Sequence, residues 1–295
     1  MRSVAGSVLA AASASDGNEG RPSSAGGVKS GYAPVDGLKL YYEIHGTGAP
    51  LILMHGGLGS IEMFGSNVPA FANGRQVIAV DLQAHGRTAD IEKPLSFDAM
   101  AEDIVGLLKY LGIAKADVMG YSLGAGVAVR TTVNHPKVVK KLVVVSTPHK
   151  REGWHPEIRA AMEQIGPELA EQMKPSPLYQ QYAKVAPRPE DWTLLVTKVG
   201  KLVRTDYDWS QDVAAIKVPT MLVFGDADAV QPHHIVEFFQ LLGGGQKDGG
   251  WDGSGISNAR LAVLPGVTHY NIADSAALVP TVAGFLDGVQ GAGGK

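Results

Sequence analysis

Gly120-Tyr121-Ser122-Leu123-Gly124 constrains this chain more than any other stretch, because it must join two kinds of secondary structure across one sharp turn. Before it, Asp117-Val118-Met119 reads as a buried strand, and after it Ala125 to His135 reads as a helix. A strand-to-helix turn this tight forces its central residue into a strained backbone and holds the Ser122 hydroxyl clear of the sheet. Glycine is needed on both sides, since a side chain there would collide with the neighbouring strand or helix.

The rest of the chain repeats the alternation of strand and helix. Leu38 to Ile44 alternates as a strand, Gly46-Thr47-Gly48 marks a turn, and Leu51-Ile52-Leu53-Met54 is a continuous apolar run. Val77-Ile78-Ala79-Val80, Leu142-Val143-Val144-Val145, Met221-Leu222-Val223-Phe224 and Leu261-Ala262-Val263-Leu264 are further runs of this kind. Such runs suit strands buried on both faces. Helical stretches are expected around Ser60 to Ala72 and from Phe97 to Leu111, the latter with Met100, Ile104, Leu107, Leu108 and Leu111 on one stripe. The order predicts an α/β fold with a parallel, doubly wound sheet covered on both sides. At 295 residues, one large domain with an insertion accommodates all of it.

One interval breaks the rhythm. About 70 residues separate Ser146 from Thr220, far more than a crossover needs, and they carry helical patterning, several prolines and a set of aromatics and methionines. This predicts a helical insertion leaving the C-terminal end of a strand, over the sheet edge where ligands bind in such folds. Trp154, Met162, Met173 and Tyr179, with Tyr121 from the elbow, are the expected pocket residues; the other aromatics would fill the insertion's own core. Gly243 to Asn258, rich in Gly and Asp and holding Trp251, reads as a surface loop at the opposite edge.

Composition removes several classes of function. Net charge is −3 and the Lys and Arg residues are scattered, which gives no electrostatic case for nucleic acid or an anionic membrane. The chain has no cysteine, so disulfides, thiolate catalysis and Cys-based metal sites are excluded. No run of about 18 apolar residues exists to span a bilayer. Residues 1–31 are rich in Ser, Gly and Ala and read as a disordered leader. Ala12-Ser13-Ala14 resembles a small-residue cleavage site, so a cytoplasmic setting has export as its alternative should residues 1–14 act as a signal. Oligomeric state is not legible.

A serine hydroxyl is a poor nucleophile until a base takes its proton, and the base must be held in one tautomer by an acid. Phe224-Gly225-Asp226-Ala227-Asp228 places two aspartates after a buried strand, and Leu264-Pro265-Gly266-Val267-Thr268-His269 places a histidine after the last one. Asp228 is the favoured partner of His269, because Asp226 follows the strand-ending glycine where turn-forming Asp is common. His55 and His85 are read as loop-holding residues. His233 and His234 are adjacent and face different ways, and His45, His135, His149 and His155 are read as surface or loop residues. No H-E-x-x-H or comparable spacing is present, so neither a catalytic metal nor a cofactor is expected. Oxyanion donors are expected from the N–H of Leu123, at a helix N-terminus, and of Gly57 in His55-Gly56-Gly57.

In His55-Gly56-Gly57, Asp81 to Arg87, Gly120 to Gly124, Gly225 to Asp228 and Gly266 to His269, the chain resembles the α/β-hydrolase superfamily over residues 32–286. The resemblance implies an eight-stranded, mostly parallel sheet formed by residues 32–147 and 213–295, with a helical cap over 148–212. It also implies an acyl-enzyme mechanism through Ser122, His269 and Asp228; the family does not decide the substrate, and it is that constellation together with the aromatic- and Met-containing insertion that points to small to medium, largely apolar esters. Lactone hydrolysis, carbon–carbon bond hydrolysis, cofactor-free perhydrolysis and a ligand-binding role without turnover are the alternatives on the same fold. Ser122 in place of aspartate argues against haloalkane dehalogenases and epoxide hydrolases. Tyr121 and Leu123 depart from the elbow pattern of carbon–carbon hydrolases.

Overall fold

The computed structural model describes residues 27–288; the reading of residues 1–26 as a leader, with its cleavage-like motif, lies outside them. Eight strands form one sheet in the order β1-β2-β4-β3-β5-β6-β7-β8. They are β1 (Lys29–Val35), β2 (Leu38–His45), β3 (Ala49–Met54), β4 (Arg75–Val80), β5 (Ala116–Tyr121), β6 (Val139–Val145), β7 (Thr220–Ala227) and β8 (Ala259–Thr268). β2 runs antiparallel to both β1 and β4, and all other neighbours are parallel. The expected eight-stranded, mostly parallel sheet is therefore present. Residues 29–31, grouped with the leader on composition, belong to β1, where Lys29 to Gly31 pair with Ile44 to Tyr42.

The apolar runs of β3 to β7 are explained by burial on both faces; the run Leu261 to Leu264 in β8 is not buried in this way, because β8 is the edge strand and leaves Val263 exposed. Ile52, Met54, Ile78, Val80, Val118, Val144, Leu222 and Phe224 point to one side. Leu51, Leu53, Val77, Ala79, Met119, Val143, Met221 and Val223 point to the other. Successive residues of a strand alternate in this way, so a sheet covered twice needs apolar side chains at every position. The first face is covered by α2 (Phe97–Tyr110), α3 (Leu123–Asn134) and α9 (Pro232–Leu241); the second by α1 (Asn67–Phe71) and α10 (Leu278–Asp287). In α2 the predicted stripe of Met100, Ile104, Leu107 and Leu108 is buried, and Ser96 caps the start by accepting from the Ala99 N–H at 3.0 Å. The stretch from Ser60 to Ala72 divides into a 3-10 turn (Ile61–Phe64) and the short α1, separated at Gly65, whose φ of 47° no helix can accommodate.

Between β6 and β7 lie α4 (Pro156–Glu163), α5 (Pro167–Gln172), α6 (Pro177–Val185), α7 (Trp192–Arg204) and α8 (Ser210–Ala215). α5 and α6 pack around Trp192 of α7, whose indole N–H donates to the Ala170 carbonyl at 2.9 Å, and α4 also packs on α7; α8 instead packs against α3 and α9. No helix among the described residues is long and apolar enough to cross a membrane.

The elbow glycines are dictated by rigid neighbours. A Cβ on Gly124 would lie 2.5 Å from the carbonyl oxygens of Met54 and His55, and one on Gly120 would lie 2.1 Å from the Gly124 oxygen. Backbone at the end of a central strand cannot yield. Gly124→Ala is expected to destabilise the protein by about 1–3 kcal/mol or more in urea unfolding, the usual range for overpacking. Gly284→Ala, in α10 with nothing within 4 Å of the added carbon, should instead be neutral or stabilising by about 0.5–1 kcal/mol. Equal effects at the two positions would remove the steric explanation.

Candidate active site

The ends of four neighbouring strands converge at one sheet edge. Ser122 follows β5, Ser146 follows β6, Asp228 follows β7 and His269 follows β8. Ser122 has φ 53° and ψ −114°, a strained conformation for a residue with a side chain. Its N–H continues the sheet ladder by donating to the Val145 carbonyl at 2.9 Å, while α3 starts at the next residue. That combination turns the hydroxyl out of the sheet.

Ser122 Oγ lies 3.1 Å from His269 Nε2, and His269 Nδ1 lies 3.2 Å from Asp228 Oδ1. An ionised carboxylate only accepts, so the proton sits on Nδ1 and the Nε2 lone pair faces the serine. Asp228 is buried, and burial opposes its ionisation. Hydrogen bonds from His269, from the Ser146 hydroxyl at 2.5 Å and from the Gly225 N–H at 3.0 Å outweigh that, and hold its carboxyl below the usual range.

His269 is positioned from several sides. The Tyr121 hydroxyl donates to the His269 carbonyl at 2.7 Å, and the Trp154 ring meets the imidazole edge-on at 5.4 Å. Asp226, exposed beside the site, accepts from the N–H groups of Gly266 at 2.9 Å and Val267 at 3.3 Å. Its turn chemistry thus serves the distant loop that carries His269. Ser146 is the supporting residue that sequence reasoning missed. Its φ of 54° at a strand end is a conformational signal that no residue pattern displays.

Leu123 and Gly57 both line the cavity beside Ser122, and among the described residues neither N–H is found donating to a backbone acceptor outside its own element. Gly57 follows His55, which ties two loops together: Nδ1 donates to the Gly56 carbonyl at 2.7 Å and Nε2 accepts from the Leu82 N–H at 3.1 Å. Complete burial lowers the His55 pKa to about 4, keeping the ring neutral for this double role. His85 is also fully buried, its ring tilted against that of His55 at 5.1 Å, and burial lowers its pKa to about 3. In the next loop Asp81 accepts from the N–H groups of Ile61 and Arg87, each at 2.9 Å.

Above this edge is a cavity of about 480 Å³, bounded below by Gly57, Ser122, Leu123 and His269 and above by the helical insertion. Its walls are mainly apolar. Tyr121, Trp154, Met162 and Met173 line it, together with Met63, Phe97, Ile158, Val199 and Tyr207. Tyr179 does not. It packs edge-on against Trp192 at 5.5 Å, and its neighbour Leu178 takes the lining position. Adjacent helical residues point about 100° apart, so a one-residue error in phase moves a side chain from cavity to core. His149 lies in the loop after β6, one of the two settings expected for it, and is completely buried there.

A family model described as the alpha/beta hydrolase fold matches residues 49–175. The chain is 27% identical over 222 residues to an Azorhizobium caulinodans protein named provisionally as the carbamate hydrolase RutD, covering 69% of this chain and 83% of that protein. It is 28% identical over 214 residues to the AB hydrolase superfamily protein YisY of Bacillus subtilis, covering 66% of this chain and 80% of the relative. Among solved structures, carboxylesterase CesB of Bacillus subtilis superposes with a TM-score of 0.68 at 21% identity, covering 90% of this chain and 93% of that one, a likeness of fold. With the strand order, the elbow and the converging strand ends, these matches show that the chain has the α/β-hydrolase fold.

Proposed function

We propose that the protein is a serine hydrolase of carboxylic esters, with Ser122 as nucleophile, His269 as general base and Asp228 as the acid that orients it. The observation that carries this reading is the unbroken line of contacts from Ser122 Oγ to His269 Nε2 (3.1 Å) and from His269 Nδ1 to Asp228 (3.2 Å), at the floor of an apolar cavity.

In this reading His269 takes the hydroxyl proton as Ser122 attacks the ester carbonyl. The Leu123 and Gly57 N–H groups stabilise the tetrahedral oxyanion, helped by the positive end of α3. The imidazolium then protonates the departing alkoxide. Water, activated by the same ring, attacks the acyl-enzyme and returns Ser122 to its free form. The helices over 151–204 act as the cap, and their Trp154, Ile158 and Met162 hold the apolar part of the substrate.

A fluorophosphonate should label Ser122 stoichiometrically, as read by peptide mass spectrometry. Absence of labelling would favour a binding protein over an enzyme. Along a series of p-nitrophenyl esters, each added methylene should raise kcat/KM up to about fourfold, the equivalent of about 0.8 kcal/mol, until the cavity is full. Lactone and carbamate substrates belong in the same panel, and faster turnover of either would replace the ester assignment while leaving the nucleophile in place.

A further inference from the structure

We propose that His149, His234 and Glu237 form a binding site for a divalent transition-metal ion of the zinc class, apart from the catalytic cavity. The three come from two segments that the fold brings together. His149 lies in the loop where the chain leaves β6 for the helical insertion, and His234 and Glu237 lie one helical turn apart on α9. Each offers one ligand atom, and those atoms lie within 4.8 Å of one another.

The distances suit one small cation. His149 Nε2 is 3.6 Å from Glu237 Oε1, and His234 Nδ1 is 3.2 Å from Glu237 Oε2. Ligands about 2.0–2.2 Å from a tetrahedral ion are themselves about 3.3 Å apart. Both nitrogens of His149 and Nδ1 of His234 are buried without a hydrogen-bond partner, although a carboxylate stands close by. Buried imidazoles are rarely left in that state, and a metal ion would satisfy one nitrogen of each.

Two imidazoles and a single carboxylate favour zinc and its neighbours over magnesium or calcium, which prefer all-oxygen shells. Glu237 is part-exposed, which leaves a route of entry and a fourth position for water. Other charges bear on the site. The Lys150 ammonium lies 3.0 Å from Glu237 Oε1 and competes directly with a cation, and the His233 ring sits 4.3 Å from that of His234. The metal would pin the base of the insertion to α9, close to where Trp154 pairs with Val230, two residues beyond Asp228. This role is a structural fastening and is independent of the proposed ester hydrolysis.

The test uses untagged, chelator-treated full-length protein titrated with Zn2+ against a chromophoric competitor, and with Co2+ followed by its visible absorption. One Zn2+ per chain is expected, with micromolar or tighter affinity, together with the intense bands of four-coordinate Co2+. Glu237→Gln and His234→Ala should each weaken binding by at least about tenfold. Lys150→Met should tighten it. Because the buried His149 cannot be changed without risk to folding, Glu237→Gln at the surface is the deciding variant. Affinity weaker than about 100 µM, or binding that Glu237→Gln leaves unchanged, would overturn the site whatever the other variants do.

Discussion

Ser122→Ala is expected to lower kcat on p-nitrophenyl butyrate by about 10⁶-fold while leaving the urea unfolding midpoint nearly unchanged. The size follows from the way a nucleophile and its base act as a unit: removing either forfeits the whole covalent route, leaving only what binding and oxyanion stabilisation supply. His269→Ala should therefore be almost as severe, and the double variant hardly worse than either single one. Stability should hold because, among the described residues, the Ser122 hydroxyl makes a single hydrogen bond, to His269. Exchange to alanine also keeps a Cβ at φ 53°, so the backbone strain is the same before and after. Substantial turnover by Ser122→Ala would show that another group attacks the substrate.

Asp228→Asn should reduce kcat by about 10⁴-fold, with the fold retained. The loss is larger than one hydrogen bond suggests, because an amide can donate to His269 Nδ1. The ring then carries its proton on Nε2, facing Ser122, and can no longer accept from it. Asp228 also accepts from Ser146 and from the N–H groups of Gly225 and Val230, contacts that the amide oxygen keeps only in part. Asp226→Asn is the matched control. It is exposed, its Oδ1 accepts from Gly266 and Val267, and an amide oxygen can do the same. Its activity should stay within about tenfold of the parent. If Asp226→Asn proved the more damaging of the two, the acid would have been misassigned.

The strands were legible because burial on both faces demands apolar residues at consecutive positions, a pattern that survives without knowledge of the fold. The elbow was legible for a similar reason. Gly120 and Gly124 each face backbone atoms closer than 3 Å to where a Cβ would stand, and that constraint is written directly into residue type. Chain order then placed Ser122, Asp228 and His269 after successive strands. Asp228 could be preferred over Asp226 by position alone, yet the service Asp226 gives to the His269 loop became visible only once β7 and β8 were paired.

What the amino-acid order determined is local and periodic: which segments form buried strands, where glycine is compulsory, and that a serine stands at the apex of a strand-to-helix turn. What the tertiary structure decided are meetings between residues that carry no pattern of their own. Ser146 supports Asp228 across 82 residues of chain. Leu178 faces the cavity where Tyr179 was expected, and His149 lies buried beside His234 and Glu237. Such contacts depend on helical phase, loop path and strand order together, and a shift of one residue or a fraction of a turn exchanges one partner for another.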